Sequence, residues 1–182
     1  MNKRYTMGIS MIEVLVTVAV LGILAAAAMP SMRDMIDTRK LKNQTESIAD
    51  VLRLSRSEAM KRAASNTPKV VSATVSAGAP SAWFVGLSNT TTACTDASTC
   101  VLVQGANSAP YMVTATECGG CSVATTANLY TFSFRGVATV GGGSSVTVTS
   151  PMNKTLRVDV STTGRVSVCS PGGTIAGYAT CV

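Results

Sequence analysis

The chain of 182 residues contains no histidine. That removes imidazole general bases, histidine-bound metal sites and the Ser-His and Cys-His nucleophile pairs together. Acids are also scarce: beyond residue 65 only Asp96, Glu117 and Asp159 occur. Their spacing gives no reason to expect a catalytic carboxylate pair. There is no Walker sequence, and Gly141-Gly142-Gly143 lacks the strand-to-helix setting of a phosphate loop. No catalytic residue, cofactor or metal is expected. The formal charge is +6, but much of the excess lies in residues 31–65, with eight basic against five acidic residues. Such mild basicity does not by itself make a nucleic-acid binder.

What the chain does have is one long apolar run. Gly8 to Met29 reads GISMIEVLVTVAVLGILAAAAM. As a helix, Ile9 to Met29 spans roughly 31 Å, about one bilayer core. Lys3 and Arg4 precede it. The positive-inside rule keeps that end in the cytoplasm and puts everything after Pro30 on the far side. A cleaved signal peptide fits poorly, because the basic leader is very short and the apolar run too long. Glu13 is the single acid in the run. A carboxylate in hydrocarbon costs about 2.5–3.5 kcal/mol, relieved in part by snorkelling near the membrane edge. It is either a tolerated edge residue or a charge awaiting a partner. The run Ala25 to Ala28 leaves room for close helix packing. Pro30 removes a helical hydrogen bond at a cost of about 3 kcal/mol, so an interruption with a kink is expected there.

From Ser31 to about Ala64 the pattern is amphipathic. Leu41, Ile48, Leu52, Ser55, Ala59 and Ala63 fall on one stripe. Arg39, Lys40, Lys42, Glu46, Asp50, Arg53, Arg56, Lys61 and Arg62 occupy much of the rest, as a solvated face or as a salt-bridging surface towards neighbours. Asn66-Thr67-Pro68 is a stop signal. The pattern then turns to β. Lys69–Ser76, Ala82–Leu87, Cys100–Gln104, Tyr111–Thr114, Leu129–Phe134, Val146–Thr149, Leu156–Val160 and Arg165–Cys169 are the expected strands. Leu156, Val158 and Val160 alternate with Arg157 and Asp159, so one face should be buried. Ser161 to Gly164 reads as a hairpin loop; Thr90 to Ser98 and Gly141 to Ser145 read as loops, and the tail from Ser170 as irregular.

The cysteines fall into three local pairs: Cys94 with Cys100, Cys118 with Cys121, and Cys169 with Cys181. All lie beyond the apolar run, in a compartment inferred to be oxidising. Fifteen pairings are open, and nearest-neighbour bridges are the expectation. Cys118-Gly-Gly-Cys121 lacks the strand-to-helix setting of a redox CxxC. A four-cysteine zinc site would need a second knuckle of matching spacing.

Gly8-Ile9-Ser10-Met11-Ile12-Glu13 resembles the type IV prepilin signal, with Ile9 and Ser10 where Phe and Thr are usual. That resemblance implies cleavage by a prepilin peptidase between Gly8 and Ile9, methylation of the new N-terminus at Ile9, and pairing of Glu13 with the N-terminal amine of a neighbouring subunit. It also implies a kink at Pro30. Val51 to Arg62, with its Arg-Ser-Glu-Ala-Met-Lys-Arg ending, is similar to the end of the long helix in the GspH/FimT family of minor pilins and pseudopilins. Phe132…Arg135-Gly136, Leu156 to Val160 and Gly164 to Cys169 resemble the same family. Residues 69 to 128 show no such likeness.

The resemblance implies an α+β type IV pilin fold: a long N-terminal helix, membrane-spanning in its first half, packed on an antiparallel β-sheet head. The implied divisions are a leader (1–8), a membrane and filament-core helix (9–29), its amphipathic continuation (30–65) and a β-rich head (66–182). The implied function is that of a minor pilin that co-assembles into a type IV pilus and helps prime it. Its implied partners are other minor pilins, the major pilin, the prepilin peptidase and the inner-membrane assembly platform. Its implied place is the bacterial inner membrane, head in the periplasm, and then the surface filament. A type II secretion pseudopilin of GspH type is one alternative. A pilus-associated DNA-uptake receptor is another, with Arg165, Arg157 and Lys154 as contacts. Relatives that bind DNA carry Gly-Arg-x-Arg, and here Ser167 replaces the second arginine.

Overall fold

A computed structural model describes residues 10–62, 70–80, 82–104 and 107–182 of the chain. Two compact units divide between residues 36 and 37. The first described element is helix α1, Met11–Lys61, 51 residues long. It opens on the Ser10 carbonyl, which accepts from the amides of Glu13 at 3.0 Å and Val14 at 3.2 Å. Position 30 lies inside the helix, so the expected interruption does not split it. Thr17 Oγ1 donates to the Val14 carbonyl at 2.8 Å, satisfying its hydroxyl within the helix itself. In the first unit every described side chain is exposed.

In the second unit, α1 carries a buried stripe. Leu41, Ile48, Leu52, Ser55 and Ala59 are fully buried, and Ala63 lies outside the described residues. Asp37, Gln44, Val51 and Glu58, at steps of seven, widen the stripe. Asp37 is satisfied there, accepting from Ser150 Oγ at 2.6 Å. Some of the helix charges pair within the helix. Arg53 meets Glu46 at 3.2 Å and Asp50 at 2.8 Å, and Lys61 meets Glu58 at 2.8 Å.

The strands are β1 (Val70–Ser76), β2 (Phe84–Ser88), β3 (Val101–Gln104), β4 (Asn107–Pro110), β5 (Met112–Thr114) and β6 (Ser122–Thr125). They continue with β7 (Leu129–Ser133), β8 (Ala138–Val140), β9 (Ser144–Thr149), β10 (Thr155–Val160) and β11 (Val166–Cys169). One sheet has the order β5-β2-β1-β7-β8, another β11-β10-β9-β6, and β3 with β4 forms a two-stranded sheet; all these strand pairings are antiparallel. Every expected strand exists within two residues of its expected ends. The Gly141 loop is shorter than expected, because β9 begins at Ser144. Strands β4, β6 and β8 were not expected. Asn-Ser-Ala-Pro carries little β signal, and the Val and Thr of Ser-Val-Ala-Thr and Ala-Thr-Val stand in runs too short to read as strands. Pairing with β3, β9 and β7 imposes the conformation instead.

A single apolar cluster joins the helix stripe to both sheets, with Trp83, Tyr130 and Phe132 as its largest buried members. Leu156, Val158 and Val160 point into it, while Arg157 and Asp159 face outwards. Gln44 is a buried amide in this interior. It is 1% exposed, and neither amide atom has a hydrogen-bond partner. An unpaired buried amide costs about 1–3 kcal/mol. Gln44→Met, of similar shape, is therefore expected to raise stability by about 1–2 kcal/mol. The urea midpoint of the full chain checks this, and a lower midpoint would show that the amide is engaged after all.

Candidate functional site

Two regions carry the functional expectations. The first is the N-terminal part of α1. From Met11 to Met29 its described side chains are apolar or small except for Thr17 and Glu13, and all are exposed. No described residue of the unit covers them. A helix apolar on every side is the form suited to lipid or to the core of an assembly. Glu13, on the first turn, is exposed and sits close to the positive end of the helix dipole. Gly8 and Ile9 lie outside the described residues, and nothing is described of the Pro30 side chain.

The second region is the far end of α1 in the head. Here three separated sequence segments meet. Arg56 Nε donates to the Gly136 carbonyl at 2.9 Å. Gly136 sits in the turn between β7 and β8 at φ 71°, where a Cβ would lie 2.9 Å from Met60 Sδ. Gly164, at φ 78° in the β10–β11 hairpin, lies so close that a Cβ there would overlap the Gly136 carbonyl oxygen. The hairpin is a tight one: the Gly164 amide donates to the Ser161 carbonyl at 2.9 Å. The helix-end, Arg-Gly and Gly-Arg segments are thus one packing clasp. The sequence pattern marked these residues without assigning them a role, because 80 positions separate Arg56 from Gly136.

The disulfides form as local pairs: Cys94–Cys100, Cys118–Cys121 and Cys169–Cys181. The first packs on Gly86 of β2. The second is tied into the core by Trp83 Nε1, which donates to the Cys121 carbonyl at 2.9 Å. The third closes the tail into a strap with a short 3-10 turn at Pro171–Gly173. The tail is therefore more ordered than its sequence implied. Ile175 is buried, Lys42 Nζ donates to the Ala176 carbonyl at 2.7 Å, and Tyr178 donates to Glu46 Oε1 at 2.9 Å. Burial, with the Glu46 bond second, pushes the Tyr178 hydroxyl up to about 12. Lys42 and Glu46 lie on the charged face of the helix, and the strap uses both.

The remaining acids make no catalytic pair among the described residues. Asp96 holds its own loop together, accepting from Thr95 Oγ1 at 3.0 Å and from the amides of Ser98 at 2.9 Å and Thr99 at 3.0 Å. Bonds from the Ser98 side chain first, then Thr95 and the loop amides, bring its carboxyl down to about 2. Asp159 pairs with Arg157 at 2.8 Å.

The three expected DNA contacts do not share one surface. Arg157 and Arg165 line the same open hollow of about 590 Å³, with Asp159, Ser145 and Ser167 between or beside them. Arg157 is already held by Asp159, and its Nη2 also donates to the Val182 carbonyl at 3.1 Å. Lys154 instead reaches across to α1, donating to Thr38 Oγ1 at 2.6 Å.

A bare apolar helix, continuous with a disulfide-bonded head of antiparallel sheets packed on that helix, is the architecture of a pilin or pseudopilin subunit. The family model described as type II transport protein GspH matches residues 44–164, more than half of the chain, and the protein belongs to this family. The match begins on α1 and ends at Gly164, so it takes in all three segments of the clasp. Proteins of this family are structural subunits and not enzymes. Among solved structures, the chain is similar to the type IV minor pilin FimU of Pseudomonas aeruginosa strain PAO1. One crystal form shares 14% identity over 77% of this chain and 95% of that one, with a TM-score of 0.49. A second shares 14% over 76% and 98%, with a TM-score of 0.48. No curated protein matches the chain in sequence.

Proposed function

We propose that this protein is a minor pilin that co-assembles into a type IV pilus and helps prime its assembly. The observation that carries this reading is the uncovered helix from Met11 to Met29, apolar on all sides, with Glu13 on its first turn. Before assembly the helix holds the subunit in the inner membrane. During assembly it enters the filament core, and Glu13 takes the N-terminal amine of a neighbour as its partner. Peptidase cleavage after Gly8 and methylation of Ile9 create that amine in its final form. A bend at Pro30 adjusts the helix path. In a low-dielectric core an unpaired carboxylate is costly, so the charge pair selects one register over its alternatives.

The head faces the oxidising side of the membrane. Three disulfides support that placement. Charge bias alone does not, since Arg33, Arg39, Lys40 and Lys42 follow the span while Lys3 and Arg4 precede it. The prepilin peptidase, the assembly platform, the major pilin and other minor pilins are the partners of this cycle.

The type II transport role that gives the matched family its name favours a second reading, a pseudopilin of a type II secretion machine. The same helix and Glu13 serve a short periplasmic piston. DNA uptake draws less support, because Arg157 and Lys154 are engaged within the head. Deletion of the gene separates these readings when surface pili, twitching, exoprotein export and DNA uptake are measured together. Loss of pili restored by the wild-type gene supports the minor-pilin reading. Retained pili with lost export moves the protein to the secretion machine. Retained pili and export with lost uptake makes it a DNA receptor. Glu13→Ala is expected to lower incorporation into filaments about tenfold or more while the head stays folded. Normal incorporation of that variant would remove the pairing role.

A further inference from the structure

On the outer face of the β11-β10-β9-β6 sheet an acid touches a disulfide. Asp159 Oδ2 lies 3.3 Å from Cys169 Sγ. That sulfur is bonded to Cys181 and carries no proton, so the contact is not a hydrogen bond. The Cys181 sulfur lies within 4.8 Å of the same carboxylate. On its other side the carboxylate is held by Arg157, with Nε at 2.8 Å and Nη2 at 3.0 Å. The bridge closes the strap that Lys42 and Tyr178 fasten to α1.

We propose that Asp159 is an electrostatic guard of the Cys169–Cys181 bridge, slowing thiolate attack and so keeping the C-terminal strap closed on α1. Exchange begins when an external thiolate attacks one bridge sulfur. The Cys169–Cys181 bond breaks, a mixed disulfide forms, and the other cysteine leaves as a thiolate. With a dithiol reductant, its second thiolate then displaces the protein sulfur. The dithiol is oxidised to a cyclic disulfide, and the two cysteines gain two electrons and take their protons from water. Attack at Cys181 puts negative charge on Cys169, the leaving sulfur beside Asp159. Attack at Cys169 brings the anion directly to Asp159. Both routes set like charges together at short range. The Arg157 guanidinium, lying behind the carboxylate, cancels part of the field. The two residues therefore act on the bridge in opposite senses.

The test measures reduction of each bridge separately. The full chain in detergent is treated with dithiothreitol, quenched by alkylation at timed intervals, and read by peptide mass spectrometry. Asp159→Asn is expected to speed reduction of Cys169–Cys181 about fivefold or more, with the other two bridges unchanged. Arg157→Gln is expected to slow it about twofold or more. High salt should shrink both differences. A neutral phosphine reductant should show smaller differences than the thiolate does. Equal rates for Asp159→Asn and the parent would overturn the proposal. So would acceleration of all three bridges alike, which is the mark of a loosened head. Acceleration by both substitutions would overturn it too, because that shows a packing role and not a charge effect.

Discussion

Gly164→Ala is expected to destabilise the head by about 2–5 kcal/mol. Two costs add. The backbone at Gly164 has φ 78°, which costs an L-residue about 1–2 kcal/mol. The added Cβ would also run into the Gly136 carbonyl oxygen, and Gly136 is itself pinned by Arg56. Main chain on both sides leaves little to relax. Gly172 supplies the control. It has φ 74°, nearly the same, but the nearest atom to its Cβ is Thr174 Cγ2 at 4.0 Å. Gly172→Ala should therefore cost only the conformational part, about 1–2 kcal/mol. Urea unfolding of the two variants as full chains in detergent separates the terms. Equal losses would mean that the clasp yields, and that φ alone matters at Gly164.

Gly86→Ala should destabilise by about 1–3 kcal/mol through a different neighbour. Gly86 lies in β2, opposite Thr74 of β1 and Met112 of β5. A Cβ there would overlap Cys100 Sγ and lie 2.8 Å from Cys100 Cβ and 3.0 Å from Cys94 Sγ. A disulfide has no free rotor to swing aside, so the loop from Asn89 to Cys100 must move with it. Removing both cysteines costs some stability of its own, typically about 2 kcal/mol or less for so short a loop. In that background the loop gains freedom, and the extra cost of Gly86→Ala should fall by at least about 1 kcal/mol. A double-mutant cycle measures this coupling. A coupling near zero would show that the strand, and not the bridge, requires glycine at this place.

The first prediction rests on residues that the sequence pattern marks only by likeness. Gly136 and Gly164 stood out beside arginines in segments resembling the family, with nothing to say what they touch. Gly86 did not stand out at all, since one glycine within a run of Phe, Val, Leu and Ser reads as an ordinary weak point in a strand. The structure gives each a cause, the close approach of a second segment. The same holds for Lys42 and Glu46. At helical spacing they read as solvated charges, and the strap that uses them arrives more than 130 positions later.

Period and chain-local chemistry were enough for much of the protein. The apolar run and its single acid stand in consecutive residues. The stripe from Leu41 to Ala59 follows from the turn of the helix. Leu156, Val158 and Val160 declare their buried face by alternation. The cysteine bridges close over at most 12 positions, so proximity in the chain was already proximity in space. Tertiary structure alone decided the order of strands in the two sheets, the existence of β4, β6 and β8, the Arg56–Gly136–Gly164 clasp, and the seat of Asp159 against the Cys169–Cys181 bridge. The division has a physical reason. Local patterns are set by the repeat of the backbone, which every residue carries in its own position. A β-poor segment becomes a strand, and a glycine becomes indispensable, only when a distant segment is laid against it.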